Sequence, residues 1–149
     1  MDNTAEEIIV NGMPDMMGHI HNVINAIEAT CDVASPASIT SGASNMTMVQ
    51  IINKTKPLMI RLGDHCSYKN TTKFINWCPK YYAGRGHLVA RAVRSPHIND
   101  YVTAVQVYDA NEKTGLQGAL VDVMNECNIV QSLLVEHLDI IKRPTEYFE

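Results

Sequence analysis

The chain has 149 residues, 46% of them hydrophobic, and carries a formal charge of −4. That length supports one domain with a substantial core. The longest apolar runs (Ile8 to Val10, Leu58 to Ile60, Leu133 to Val135) fall far short of the roughly 20 residues that a membrane-spanning helix requires, and the acidic opening MDNTAEEIIV lacks the pattern of a secretory signal, so a soluble protein is expected.

Residues 1–13 read as an acidic flexible tail with one apolar anchor at Ile8 to Val10, and 14–149 as a single domain. Pro14 and Asp15 open a helix over 14–31, in which Met17, Ile20, Ile24, Ile27 and Cys31 recur at three to four residues. Residues 32–45, rich in Ser, Ala, Gly and Pro, read as a loop. Met46 to Asn53 and Leu58 to Leu62 are short apolar or β-branched runs separated by a Pro-bearing turn, which predicts strand, turn and strand. Further strands are predicted at 71–77, 87–93 and 101–108, with loops at 63–70 and 78–86. From Thr114 and Gln117, which fit a capping box, Leu116, Leu120, Val123, Cys127, Val130, Leu134 and Ile141 recur at helical spacing. This is the strongest helical signal, running over 115–141 and stopped by Pro144. Because Val121, Ile129, Val135 and Ile140 fall outside its main stripe, the helix is either buried on two sides or pairs with another subunit.

The expected fold is therefore α+β, an antiparallel sheet or sandwich built from 46–109 and packed against an N-terminal and a C-terminal helix. Its expected core is Ile20, Ile24, Ile27, Val49, Ile51, Leu58, Ile60, Leu62, Val105, Val107, Leu120, Val123, Val130 and Leu134.

Charge is unevenly spread. Between Lys54 and Arg94 lie nine of the twelve basic residues and one acid, Asp64, so this segment carries +8 while the flanks carry −12. Aromatic side chains are interleaved with these bases, a composition suited to phospholipid headgroups or to nucleic acid. The candidate binding residues are Tyr68, Trp77, Lys80, Tyr81, Tyr82 and Arg85, most of them in the 78–86 loop.

Catalytic and metal motifs are weak. His19 and His21, two apart on a helix, point in different directions and cannot share an ion. Cys66, Cys78, His87 and His97 are too unevenly spaced for a typical structural zinc site, so no metal or cofactor is expected. Cys78 and His87 form the one nucleophile and base pair that suggests a thiol enzyme, without an identifiable third residue. Phosphate-loop, nucleophile-elbow and zinc-protease signatures are absent.

The order Val49-Gln-Ile-Ile-Asn-Lys-Thr55, an apolar strand from Leu58, Tyr68, then Pro79 and Gly84 or Gly86 resembles the start of the actinoporin-like β-sandwich. The resemblance implies lipid binding and pore formation, with the 14–31 helix as the inserting element. Residues 97–109 lack that family's aromatic headgroup cluster, so no binding residue is carried over. The functional expectation is a non-enzymatic, toxin-like protein that binds an anionic or zwitterionic membrane surface as a homo-oligomer. Nucleic-acid binding, an oligomerising structural role and the Cys78 and His87 thiol enzyme are the alternatives.

Overall fold

The structure, a computed structural model, describes residues 7–30, 34–65 and 68–138. After a π-helical turn at Ile8–Gly12, the chain forms α1 (Met13–Ala29), a short α2 (Pro36–Thr40), α3 (Met46–His65), α4 (Tyr68–Arg94) and α5 (Asn99–Glu136). No strand occurs among the described residues. The α+β expectation fails, and with it the sheet, the sandwich and the actinoporin-like fold.

The physical reason is visible in α3. Met48, Ile51, Ile52, Thr55 and Met59 are all buried, and their spacings of three, one, three and four trace one helical face rather than the alternation of a strand. The β-branched run disfavours a helix only by fractions of a kcal/mol per residue, which burial of Ile51 and Ile52 exceeds at about 1.5–3 kcal/mol each. Thr55 is fully buried and donates its hydroxyl to the Ile51 carbonyl at 2.8 Å, so no polar group is stranded.

Prolines misled in the same way. Pro57 lies inside α3 and Pro79 inside α4, each removing one intrahelical bond at a cost of about 3 kcal/mol or more. In α4 the burial of Phe74, Tyr81, Val89 and Ala92 outweighs that cost, so the segment expected to be a loop at 78–86 continues as helix.

Prediction and structure agree best at the two ends. The 14–31 helix is found as α1, with Met13, Met16, Ile20, Val23, Ile24 and Ile27 buried. The C-terminal helix begins fifteen residues earlier than its supposed cap. Thr114 donates to the Ala110 carbonyl from mid-helix instead of capping. Residues 32–45 are not wholly loop, because Pro36 sets the first turn of α2 and Ser35 caps it by accepting from the Ser38 amide at 3.2 Å.

Helix α5 is the spine, 38 residues and about 57 Å long. Helices α1, α3, α4 and α5 form an up-down-up-down bundle, as their pairings require. Lys113 meets the Thr30 carbonyl and Gln117 meets Glu28, which sets α1 antiparallel to α5. Trp77 with Glu112 and Arg85 with Asp109 do the same for α4. One core joins these four helices, and a second, smaller one places Ile39 of α2 against Val89, Ala92, Val102 and Val105. Of the expected core, Ile20, Ile24, Ile27, Ile51, Val105, Leu120 and Val123 are buried, and Val49, Leu58 and Leu134 are partly buried. Ile60 and Val107 are exposed, because strand alternation chose the wrong face, and Val130, expected from the helical stripe of the C-terminal helix, is exposed as well. The side chain of Leu62 lies outside the described residues.

Candidate functional site

The aromatic side chains form a ladder along the seam between α4 and α5. Phe74, Trp77 and Tyr81 recur at three and four residues, which aligns them on one face of α4. Their ring centroids are 5.8 Å apart from Phe74 to Trp77 and 5.6 Å from Trp77 to Tyr81. Tyr108 of α5 stacks on Tyr81 at 6.0 Å with an interplanar angle of 9°. Close packing of this kind needs a missing side chain opposite Tyr108, and Gly84 supplies it: a Cβ there would lie 2.9 Å from the Tyr108 Cζ.

At one end of the ladder sits a buried polar hub. The Asp109 carboxylate accepts from the Tyr81 hydroxyl at 2.9 Å, from Asn45 Nδ2 at 2.8 Å and from Arg85 Nε at 3.0 and 3.1 Å. Arg85 also donates from Nη1 to the Ala43 carbonyl at 3.1 Å, while Nη2, although buried, has no hydrogen-bond partner. Asn45 works twice, since its Oδ1 accepts from the Met48 amide at 3.2 Å and caps α3. The hub therefore ties the start of α3 to the middles of α4 and α5. Burial, the Asp109 charge and the hydrogen bond to it together push the Tyr81 hydroxyl pKa well above its ordinary value.

Beside the ladder lies an apolar groove of about 480 Å³, walled by Met59, Phe74, Trp77, Leu116, Leu120 and Val123. Glu112 at its edge accepts from Trp77 Nε1. A second cavity, of about 170 Å³, lies next to the polar hub and is lined by Ser44, Asn45, Tyr81, Tyr82, Arg85 and Gly86.

The sequence-predicted site residues do not form one surface. Tyr81 is 1% exposed and Arg85 6%, both turned into the bundle. Trp77 is half-buried, Lys80 is exposed and Tyr82 is 44% exposed. Tyr68 begins α4, and its side chain lies outside the described residues. Lys54, Lys56, Arg61, Lys73, Lys80, Arg91 and Arg94 are all exposed, spread over the outer faces of α3 and α4. Cys78 and His87 are nine residues apart on one helix, thus on opposite faces and about 13 Å apart along the axis, which removes the thiol-enzyme pairing. Burial raises the Cys78 thiol pKa against a smaller lowering by Lys56. Cys66 lies outside the described residues, and among those described no three His, Cys, Asp or Glu side chains gather as metal ligands. His19 instead pairs with Asp15 at 3.6 Å.

Sequence reasoning missed Asn45, Tyr108, Asp109 and Glu112. For Asp109 a signal was present: it falls at the same helical spacing as Val102, Val105 and Leu116, and an acid within an apolar stripe must find a buried partner.

The family model described as proteasome activator PA28, C-terminal, matches residues 65–147. Among curated proteins, proteasome activator complex subunit 3 of Homo sapiens, of Mus musculus and of Gallus gallus is in each case 25% identical over 71 residues, covering 48% of this chain and 28% of the relative. The matched part is thus little more than a quarter of those proteins. No solved structure matches significantly. The family match overlaps the stretch that carried the actinoporin-like resemblance, and it overturns the expected lipid-binding, toxin-like and pore-forming role together with the membrane and nucleic-acid partners. The structure gives the physical reason, since the supposed loop of aromatics and bases is a helix that turns Tyr81 and Arg85 inward. No helix among the described residues is long and apolar enough to cross a membrane.

Proposed function

Since the chain belongs to the proteasome activator PA28 family through its C-terminal domain, we propose that it is a regulatory, non-catalytic subunit that assembles with further copies of itself and acts by binding a proteasome. The family match over α4 and α5 carries this reading. Its structural support is the C-terminal half of α5, where Ile129, Val130 and Leu133 share one face of the helix and are 62%, 36% and 53% exposed. An apolar stripe of this kind on a bundle suits contact with an identical neighbour. The bundle itself offers a rigid support, its polar hub locking three helices to one another.

The test is direct. Purified chain is added in increasing ratio to purified proteasome, and hydrolysis of short fluorogenic peptides is followed. Peptide hydrolysis should rise several-fold and saturate, the chain alone should hydrolyse nothing, and sedimentation should show a species larger than 16.6 kDa. No stimulation at any ratio, with no co-sedimentation, would refute the proposal.

A further inference from the structure

We infer that the outer face of the α4 and α5 hairpin is a docking surface for an acidic amphipathic helix of another protein. The inference stands apart from any proteasome. Its grounds are a row of cations, an apolar hollow beside that row and a glycine that keeps the hollow open.

The row comes from spacing. Lys73, Lys80, His87 and Arg94 recur every seven residues along α4, with Arg91 between the last two, so they fall on one face of the helix. The row runs about 32 Å. All five side chains are exposed, and none forms an ion pair among the described residues. Four permanent cations and a histidine thus stand along one edge of the hairpin unpaired, and an acidic partner complements such a row.

The hollow adjoins it. Lys73 stands at the rim of the 480 Å³ groove between Phe74 and Trp77 of α4 and Leu116 and Leu120 of α5. An apolar groove edged by charge suits a helix that lays its apolar face inward and turns a charged flank to the row. Across the groove, α5 presents Asn111, Gly115 and Ala119, exposed, short and four residues apart, which lets a second helix lie close. Two acids also line the groove. Glu112 is occupied by Trp77 Nε1 and the Tyr108 hydroxyl, and Asp122 lies about 15 Å further along α5, toward the start of α4 and away from Lys80, His87 and Arg94.

Gly115 is the third ground. It sits within a 38-residue helix, where only proline is a weaker choice. Gly84 is a glycine that packing requires, because Tyr108 fills the place of its Cβ, whereas a Cβ on Gly115 would meet nothing within 4 Å. No neighbour demands glycine there, and the space it leaves belongs to the groove.

The probe is a synthetic, fluorophore-labelled peptide of about three heptads, matching the row in length, with Leu on one face, Glu on its flank and Ala elsewhere. Two reference peptides carry Lys for Glu or Ser for Leu. Binding to the full-length chain is read by anisotropy and by emission of the single tryptophan, Trp77. The acidic peptide should bind saturably and change that emission, and each reference peptide should bind at least about tenfold more weakly. Lys73→Glu with Lys80→Glu should weaken binding at least about tenfold, while Lys54→Glu with Arg61→Glu, an equal charge change at exposed positions of α3, should cost less than about twofold. Gly115→Leu fills the hollow and should also cost at least about tenfold, while Gly18→Leu, which adds the same side chain to open space on α1, should not. Circular dichroism checks each fold, and the Lys73 and Lys80 pair decides if Gly115→Leu does not fold. No saturable binding, equal binding of the basic peptide or equal losses in test and control variants would each overturn the assignment. So would either of two other occupants: a second copy, if Gly115→Leu alone lowers the sedimentation coefficient, or nucleic acid, if a DNA duplex binds more tightly than the peptide and Gly115→Leu leaves its binding unchanged.

Discussion

Gly84 and Gly86 stand two residues apart in α4, and replacing each by alanine should move stability in opposite directions. Both substitutions gain about 1 kcal/mol from helix propensity. At Gly86 the new methyl group enters open space, so the gain is kept. At Gly84 it would meet the Tyr108 ring, whose Cζ lies 2.9 Å from the ideal Cβ position. The ring is not a loose chain end: it stacks on Tyr81, worth about 0.5–1.5 kcal/mol, and its hydroxyl bonds Glu112, worth about 1 kcal/mol. Displacing it should cost about 2 kcal/mol, leaving Gly84→Ala about 1 kcal/mol less stable than the parent and Gly86→Ala about 1 kcal/mol more stable. Urea unfolding at one fixed protein concentration, followed through the fluorescence of the single tryptophan, Trp77, reads the difference. Tyr108→Phe in the Gly84→Ala background should recover part of the loss, because it removes the hydroxyl that sits nearest the new methyl. If Gly84→Ala proved as stable as Gly86→Ala, the account of the α4 and α5 seam would be wrong.

Asp109→Asn should destabilise the chain by about 3–5 kcal/mol in the same assay, since it strands the buried Arg85 charge; a loss below about 1 kcal/mol would show that the hub is dispensable. Tyr81 has its folded pKa raised above its ordinary value near 10, so its contribution is complete below about pH 10 and is lost as pH climbs from there toward the folded value. Tyr81→Phe should flatten the alkaline fall in stability by about 1.4 kcal/mol per pH unit above pH 10, and an unchanged slope in denaturant melts would exclude this. Ile129→Asp with Leu133→Asp, both at exposed positions, should leave helicity intact by circular dichroism and lower the sedimentation coefficient to that of one chain.

The N-terminal helix was readable from sequence because its apolar residues obey a single period, and the C-terminal one because the stripe Leu116, Leu120, Val123 and Cys127 stands out although Ile129 and Val135 fall beside it. In α1 the stripe from Met13 to Ile27 allows no other interpretation. The middle was ambiguous, because Met48, Val49, Ile51 and Ile52 satisfy both a short strand and two helical turns, and Pro57 and Pro79 tipped the choice toward strands and breaks. The better guide lay in Phe74, Trp77, Tyr81, Arg85 and Ala92, whose spacings of three, four, four and seven follow a helical face. Of the site, Trp77, Tyr81, Tyr82 and Arg85 stood out by residue type, but their partners are supplied from other helices. Asp109 lies 24 residues from Arg85, and Asn45 lies 64 from Asp109. Residue type marks such positions in sequence, whereas only the packing of helices pairs them.

The placement of α1 has a consequence for the order of assembly. Its hydrogen bonds to α5 join residues 83 and 89 apart in sequence, whereas the hub joins α4 to α5 across 24 and 28. Each doubling of a closed loop costs about 0.6 kcal/mol of chain entropy, so the α4 and α5 hairpin should close first and α1 should dock late. Pulsed hydrogen exchange during refolding should then protect amides of α4 and α5 before those of α1. Until α1 docks, the surface that receives Ile20 and Ile27 stays open, and a second chain competes with α1 for the same apolar ground. At high concentration, refolding yield becomes a race between a chain's own N-terminal helix and its neighbour.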